Sequence, residues 1–150
     1  MIHRIINQKT RQTFERVNDH DYGAIAKDLR PDIHHRFAGD HALGGERHDK
    51  KHVVLWFERL GRIMPSLHLT PTDIWIKGGL RNAVVIARWT ARATLQDGTL
   101  YQNHGVHIIH LKNLKVASID VHEDSQAVER ALERQASAGT EEAKAAPIIS

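Results

Sequence analysis

The chain of 150 residues contains no cysteine, which excludes a disulfide scaffold, a thiol nucleophile and a thiolate metal centre. It also lacks any apolar run near the roughly 18–20 residues that a membrane-spanning helix needs. The opening Met1-Ile2-His3-Arg4 is not the apolar stretch of a secretory signal. A cytoplasmic protein without membrane contact is therefore the expectation. Charge of one sign is not dominant either, because 21 Lys and Arg against 18 Asp and Glu leave a net charge of +3. Lys50-Lys51 is the only tight basic pair, so no basic face suited to a phosphate backbone is evident and nucleic acid is not an expected partner. Gly44-Gly45 and Gly78-Gly79 lack the strand–loop–helix setting and Lys-Ser/Thr ending of a phosphate loop, and no Gly-x-Ser-x-Gly elbow occurs. These absences argue against nucleotide binding and serine hydrolysis.

What the sequence does contain is enough apolar residue, 41%, for a real core, and 12 histidines. Its length fits one domain, since domains commonly span about 100–200 residues. We place that domain at residues 1–136 and read 137–150, rich in Ala, Glu and Lys, as a flexible tail.

Hydrophobic spacing divides the domain in two. Ile2, Ile5, Ile6, Phe14 and Val17 recur at helical intervals, a second short helix spans Tyr22 to Leu29, and Asp32–Phe37 reads as a strand. Gly39, Gly44 and Gly45 mark a loop. Asp49 caps a helix reaching Ile63, with Val53, Phe57, Leu60 and Met64 in one stripe widened by Trp56 and Ile63. After Pro65 the period changes from 3.6 to 2, giving strands at Leu67–Lys77, Asn82–Leu95, Thr99–Lys112 and Lys115–Glu123. Asp124-Ser125 then caps a last helix to about Gln135. Helices grouped against an antiparallel sheet define an α+β fold.

Treating Asp97-Gly98 and Asn113-Leu114 as two-residue turns fixes a register by counting. Trp89 then faces Val106, Ala91 faces His104, and His104 faces Glu123. Val106 faces Val121 and Ile108 faces Ile119. This face is apolar and is expected under the helices. The opposite face carries Arg88 beside His107 beside Asp120. His104 and His110 thus lie on one side of the sheet and His107 on the other, which excludes a tri-histidine metal centre, whose ligands must converge at about 2.1 Å. His48 and His52 are spaced i, i+4, but the glutamate of His-Glu-x-x-His is missing and two lysines adjoin them, so no metal is expected. His104 and Glu123 are the first candidate acid/base pair. His35 is the second candidate, since alternation puts it with Ile33 and Phe37 facing inward while His34 and Arg36 face out. Trp56, Trp89, Val106, Ile108 and Val121 are the expected apolar wall.

The run Phe37-Ala38-Gly39-Asp40-His41-Ala42-Leu43-Gly44-Gly45-Glu46-Arg47, followed by Trp56-Phe57 and Pro65, resembles the SnoaL-like branch of the nuclear-transport-factor-2-like superfamily. Tyr101-x-Asn103, Gly105-Val106-His107, Asn113-Leu114-Lys115-Val116 and the closing Asp124 extend the resemblance over residues 5–135. It implies a cone-shaped barrel, a strongly bent antiparallel sheet wrapped around three N-terminal helices, with a short C-terminal helix. It also implies a homodimer through the convex sheet face. Asp124 occupies the position of an acid/base residue in SnoaL cyclases, and His107 the place of a polar residue after Gly-Val. The ketosteroid isomerase pattern is not matched, because His34, His35 and Arg36 stand where its carboxylate base is needed. The expected function is cofactor-free acid/base chemistry (isomerisation, cyclisation or dehydration) on a small apolar molecule, by His35, His104, Glu123 and Asp124. The alternative is a ligand-binding or dimeric assembly module without turnover. An open cavity of roughly 300 Å³ or more, with converging ionisable groups, would separate the two.

Overall fold

The computed structural model describes residues 1–150. Helix α1 (Ile2–Asn18) buries Ile6, Thr10 and Phe14 at four-residue spacing, and Thr10 returns its hydroxyl to the Ile6 carbonyl at 2.8 Å. Helix α2 (Tyr22–Asp28) is capped by Asp21 and leads directly into β1 (Leu29–Phe37), which starts earlier than alternation alone suggests. Gly45–Arg47, read from sequence as loop, forms a short strand, β2, antiparallel to β1. Asp49 accepts from the His52 amide and opens α3 (Lys50–Ile63), whose buried Val53, Trp56, Phe57, Leu60 and Ile63 are the stripe seen in the sequence.

Four strands follow: β3 (His68–Gly78), β4 (Asn82–Thr94), β5 (Leu100–Lys112) and β6 (Lys115–Glu123). The sheet runs β2-β1-β6-β5-β4-β3. Every neighbouring pair is antiparallel except β1 and β6, which run parallel and are separated in the chain by four further strands and α3. The curled sheet closes over α1, α2 and α3, and one apolar core fills the space between. Helix α4 (Ser125–Ser137) starts on Asp124 and buries Val128, Ala131, Leu132 and Gln135. Beyond it come a 3-10 turn at Glu141–Lys144 and a segment lying along β2. The composition of residues 137–150 suggests a mobile tail, yet Arg47 donates to the Ile148 carbonyl at 2.6 Å and Arg59 to that of Ala146 at 2.8 Å.

The β5 register corrects the sequence reading. The β4–β5 connection is the three-residue loop Gln96-Asp97-Gly98, with Gly98 at φ +87° and Leu95 bonded to Thr99 at 2.8 Å. Such a loop places one residue in the left-handed region, which glycine occupies at no steric cost. One residue more in the loop turns every β5 side chain to the other face. Asn113-Leu114 is a two-residue turn as expected, with both residues at positive φ. A second irregularity lies between His110 and Leu111, where the pairs His110–Ser118 and Leu111–Val116 leave Ala117 without a partner. The two slips cancel across β5. The expected faces of β4 and β6 therefore hold, and that of β5 is inverted.

Candidate functional site

The inverted strand decides what enters the barrel. Tyr101, Asn103, Gly105, His107, Ile109 and Leu111 point inward from β5, while His104, Val106, Ile108 and His110 point out. His104 is therefore not the partner of Glu123, and Val106 and Ile108 are not cavity wall. Gly105 stands between Trp89 on β4 and Glu123 on β6 in a single cross-strand row. A methyl group at Gly105 would lie 2.7 Å from Trp89 Cζ2 and 2.5 Å from the His122 carbonyl oxygen. The absent side chain is what lets the indole fold across the sheet. Gly105→Ala is expected to lower stability by about 1–3 kcal/mol through overpacking and to red-shift the tryptophan fluorescence as the ring is displaced; an unshifted spectrum at full stability would contradict this packing.

Laid across Gly105, the indole Nε1–H donates to His107 Nδ1 at 2.6 Å. Indole is a donor only, so Nδ1 carries the lone pair and the imidazole hydrogen resides on Nε2. Phe14 from α1 covers the same ring edge-on, with centroids 5.4 Å apart. Burial pushes the His107 pKa down to about 4, which keeps the ring neutral at physiological pH.

Glu123 ends β6 in the same space. Its Oε1 is buried and has no hydrogen-bond partner. Burial, and secondarily the charge of neighbouring Asp124, raises its pKa to about 8. Tyr101 completes the polar group: its hydroxyl accepts from Asn103 Nδ2 at 2.9 Å, leaving its own hydrogen to donate. Burial and then the Glu123 charge raise its pKa, so it stays protonated. Asn103 also binds both the amide and the carbonyl of Asp124, which fixes the junction between β6 and α4.

His107, Glu123, Tyr101 and Trp89 line one cavity of about 100 Å³ between the helices and the inner sheet face. Of its 28 lining residues 22 are hydrophobic, Trp56 and Val121 among them as expected, so the few polar groups stand in a low-dielectric setting. Asp28, another lining carboxylate, is held by Arg16 at 2.7 Å and Lys9 at 3.5 Å.

The other expected site residues serve the framework. His35 points inward but lies behind the cavity, 1% exposed. Its Nδ1 accepts from Arg47 Nε at 2.9 Å, and its ring packs against Trp56. Burial first, then the Arg47 charge, holds its pKa well below the ordinary histidine value. Asp124 caps α4, accepting from the amides of Gln126 and Ala127. His107 and Tyr101 are the residues that counting missed. The small Gly105 opposite Trp89 and the tolerance of Gln96-Asp97-Gly98 for a three-residue loop were the signals available.

Residues 10–119 match the model of the SnoaL-like domain. The chain belongs to the SnoaL-like family. No curated protein matches it in sequence. Among solved structures, this SnoaL-like chain is similar to an NTF2-like protein of unknown function from Burkholderia pseudomallei, with TM-score 0.74 and 19% identity over 84% of this chain and 95% of that one. It is similar to TerC co-crystallised with polyporic acid, at TM-score 0.69 and 19% identity over 80% and 92% of the two chains. A putative SnoaL-like polyketide cyclase from a Jannaschia species aligns at TM-score 0.63 and 16% identity, over 84% and 88%. These likenesses establish the NTF2-like cone. They leave the chemistry to the site. No helix of the chain is long and apolar enough to cross a membrane.

The Trp89–His107 bond gives the SnoaL-like cavity a specific test. Trp89→Phe keeps most of the packing but leaves Nδ1 without its donor, an expected cost of about 1–3 kcal/mol. The imidazole should then populate the Nδ1–H tautomer, seen in long-range ¹H–¹⁵N spectra. An unchanged tautomer would mean that the indole does not orient the ring.

Proposed function

We propose that this SnoaL-like protein catalyses proton transfer on a small, largely apolar carbonyl compound in the cone, without a cofactor, with Glu123 as the acid/base and His107 as the hydrogen-bond donor. The observation that carries the reading is a buried carboxyl with an unpartnered oxygen, facing the same cavity as an imidazole held neutral with its Nε2–H uncommitted. A base with a pKa near the working pH is present in both protonation states, which general acid–base catalysis needs.

In the simplest cycle the Glu123 carboxylate takes a proton from the carbon beside the carbonyl. The C–H electron pair moves into the new C=C bond, and the carbonyl π pair moves onto oxygen. The resulting enolate oxygen accepts from His107 Nε2–H. The enolate oxygen pair then re-forms the carbonyl: in a β,γ-unsaturated substrate the double bonds shift and the γ-carbon takes the proton back from Glu123, which isomerises it, whereas in a β-hydroxy substrate the C=C pair forms the α,β double bond, the β C–O bond breaks, and the departing oxygen takes the proton from Glu123 and leaves as water. A neutral imidazole suits this task, since it donates a hydrogen bond without giving its proton away. Tyr101 offers a second donor beside Glu123. The likeness to TerC, crystallised with polyporic acid, and to a putative polyketide cyclase supports a small organic occupant.

The cavity volume favours a second reading. About 100 Å³ is below the roughly 300 Å³ of an ordinary ligand site, so passive binding of a ring-sized molecule is the alternative. Deuterium exchange at the α-carbon separates the two, with small cyclic ketones such as cyclopentenone and cyclohexanone in D₂O. The enzyme reading expects exchange above buffer, lost in His107→Gln and Glu123→Gln. Ketone-induced shifts of the cavity resonances without exchange would support passive binding and end the catalytic reading.

We also propose a homodimer through the outer sheet face. The β5 inversion makes that face less polar than the sequence count suggests: Ile108 lies across from Ile86, Val106 takes the place beside Arg88 that the count gave to His107, and Trp75 is 50% exposed. Ile108→Asp should convert a dimer to monomer in light scattering. A monomeric wild type would exclude this interface.

A further inference from the structure

We propose that His34, Glu46 and His48 form a binding site for one divalent transition-metal ion of the zinc type, on the outer side of the β1–β2 hairpin and separate from the cavity. The two strands create the site. Their antiparallel register pairs His35 with Arg47 and Arg36 with Glu46, so continuing it sets His34 across from His48. His35 and Arg47 turn into the core, while His34, Glu46 and His48 share the outer face. One donor atom from each lies within 4.8 Å of the other two. His34 Nε2 and Glu46 Oε1 are already 2.8 Å apart.

The imidazole of His48 is prepared for coordination. Its Nδ1 lies 2.6 Å from the Ser150 main-chain oxygen, which can only accept. The hydrogen therefore sits on Nδ1 and the lone pair on Nε2. A backbone oxygen orienting one ring nitrogen while the other binds metal is the usual outer arrangement at histidine sites. The His34 and His48 rings now lie parallel, 9° apart in plane, with centroids at 4.6 Å. Coordination in the plane of both rings requires one to turn about its Cβ–Cγ bond, which is a soft torsion. Zinc–nitrogen and zinc–oxygen bonds of about 2.0–2.2 Å then need only a small side-chain displacement. Arg36, paired with Glu46 on this face, inclines toward Asp120 at 3.9 Å.

Donor chemistry names the ion class. Two imidazoles and one carboxylate select zinc, copper or nickel over calcium and magnesium, which require oxygen ligands. Three protein ligands leave a fourth position for water. Because His48 also holds Ser150, a bound ion would tie β1, β2 and the C-terminal segment into one unit.

The test is Zn²⁺ titration of the tag-free chain by calorimetry, joined to thermal melting. One saturable equivalent and a rise in Tm are expected. His34→Gln, Glu46→Gln and His48→Gln should each weaken binding by about tenfold or more and abolish the rise in Tm. His104→Gln, an exposed histidine elsewhere on the sheet, should leave both unchanged. The three substituted side chains are solvent-exposed or nearly so, and unaltered far-UV spectra will confirm that each variant folds. Long-range ¹H–¹⁵N spectra should show the perturbation at the Nε2 atoms of His34 and His48. The proposal is overturned if the wild type shows no saturable Zn²⁺ binding, or if the three variants bind it as the wild type does.

Discussion

Replacing Glu123 by Gln is expected to abolish the proposed proton-transfer activity and, at the same time, to make the protein more stable at alkaline pH. The first effect follows from the loss of the only cavity carboxyl without an ion-pair partner. Removing a positioned acid/base group costs roughly 10²–10⁴-fold in rate. The second follows from linkage. In the folded state Glu123 binds its proton up to about pH 8, whereas the unfolded group releases it near 4.5. Between those values the native state holds more protons than the unfolded chain, so stability falls as pH rises. His107 acts in the opposite sense. Its folded pKa of about 4 lies below the ordinary 6.5, so its contribution is complete above 6.5 and is lost as pH falls toward 4. The two slopes oppose each other from about 4.5 to 6.5, and only Glu123 remains above that. The wild type should thus lose about 2 kcal/mol between pH 6.5 and 8 by this route, at about 1.4 kcal/mol per unit, and Glu123→Gln should lose almost none of it. Denaturant unfolding at the two pH values measures the difference. Equal pH slopes in the two proteins would mean that Glu123 is an ordinary, solvated carboxylate.

Arg47→Ala is expected to be the most destabilising single truncation in the framework. Arg47 has no exposed surface and no carboxylate partner. Its guanidinium instead donates to His35 Nδ1 at 2.9 Å and to the carbonyls of Gly44, Gly45 and Ile148 at 3.0, 2.9 and 2.6 Å. It also stacks over Trp56, 5.6 Å from the ring centroid. Burial pulls its pKa down to about 10, still far enough above neutrality to keep the charge. Truncation takes the donor from four acceptors, two of them buried and two half-buried. The penalty should be about 3–5 kcal/mol, or roughly 6–20 °C in Tm for a chain of this size. Residues 145–150 should also become more susceptible to proteolysis. Arg47→Lys should recover only part of the loss, because an ammonium cannot span the same fork. A Tm within about 2 °C of wild type for Arg47→Ala would contradict this role.

The parts of the fold that were legible share a physical origin: each is set by residues close in sequence. The Asp49 and Asp124 caps, the Val53–Ile63 stripe and the change of period after Pro65 all appear where local chemistry puts them. The SnoaL-like resemblance placed them in one cone. What stayed hidden depends on counts of a single residue. Gln96-Asp97-Gly98 holds an Asp-Gly pair that suits a two-residue turn, yet the same glycine serves a three-residue loop, and that choice alone moved His107 inside and His104 outside. Glu123, Trp56, Trp89 and Val121 reached the cavity because β6, β4 and α3 were insulated from the error, the first by the compensating bulge at Ala117. The resemblance itself pointed to the position of His107, while the register count pointed away from it. The β2 strand and the segment after Ser137 were illegible for another reason. Their order comes from Arg47 and Arg59 reaching across about a hundred residues of sequence to bare carbonyls, and composition carries no record of such contacts.

Glu123 and His107 share a largely apolar cavity in which burial drives their proton affinities apart. Site-resolved NMR titration measures this most directly, following the Glu123 side-chain carbonyl carbon and the His107 ring nitrogens from pH 3 to 10. The expected result is Glu123 titrating near 8 and His107 remaining the neutral Nε2–H tautomer down to about 4. Midpoints near 4.5 for Glu123 and 6.5 for His107, the values of solvated side chains, would contradict it.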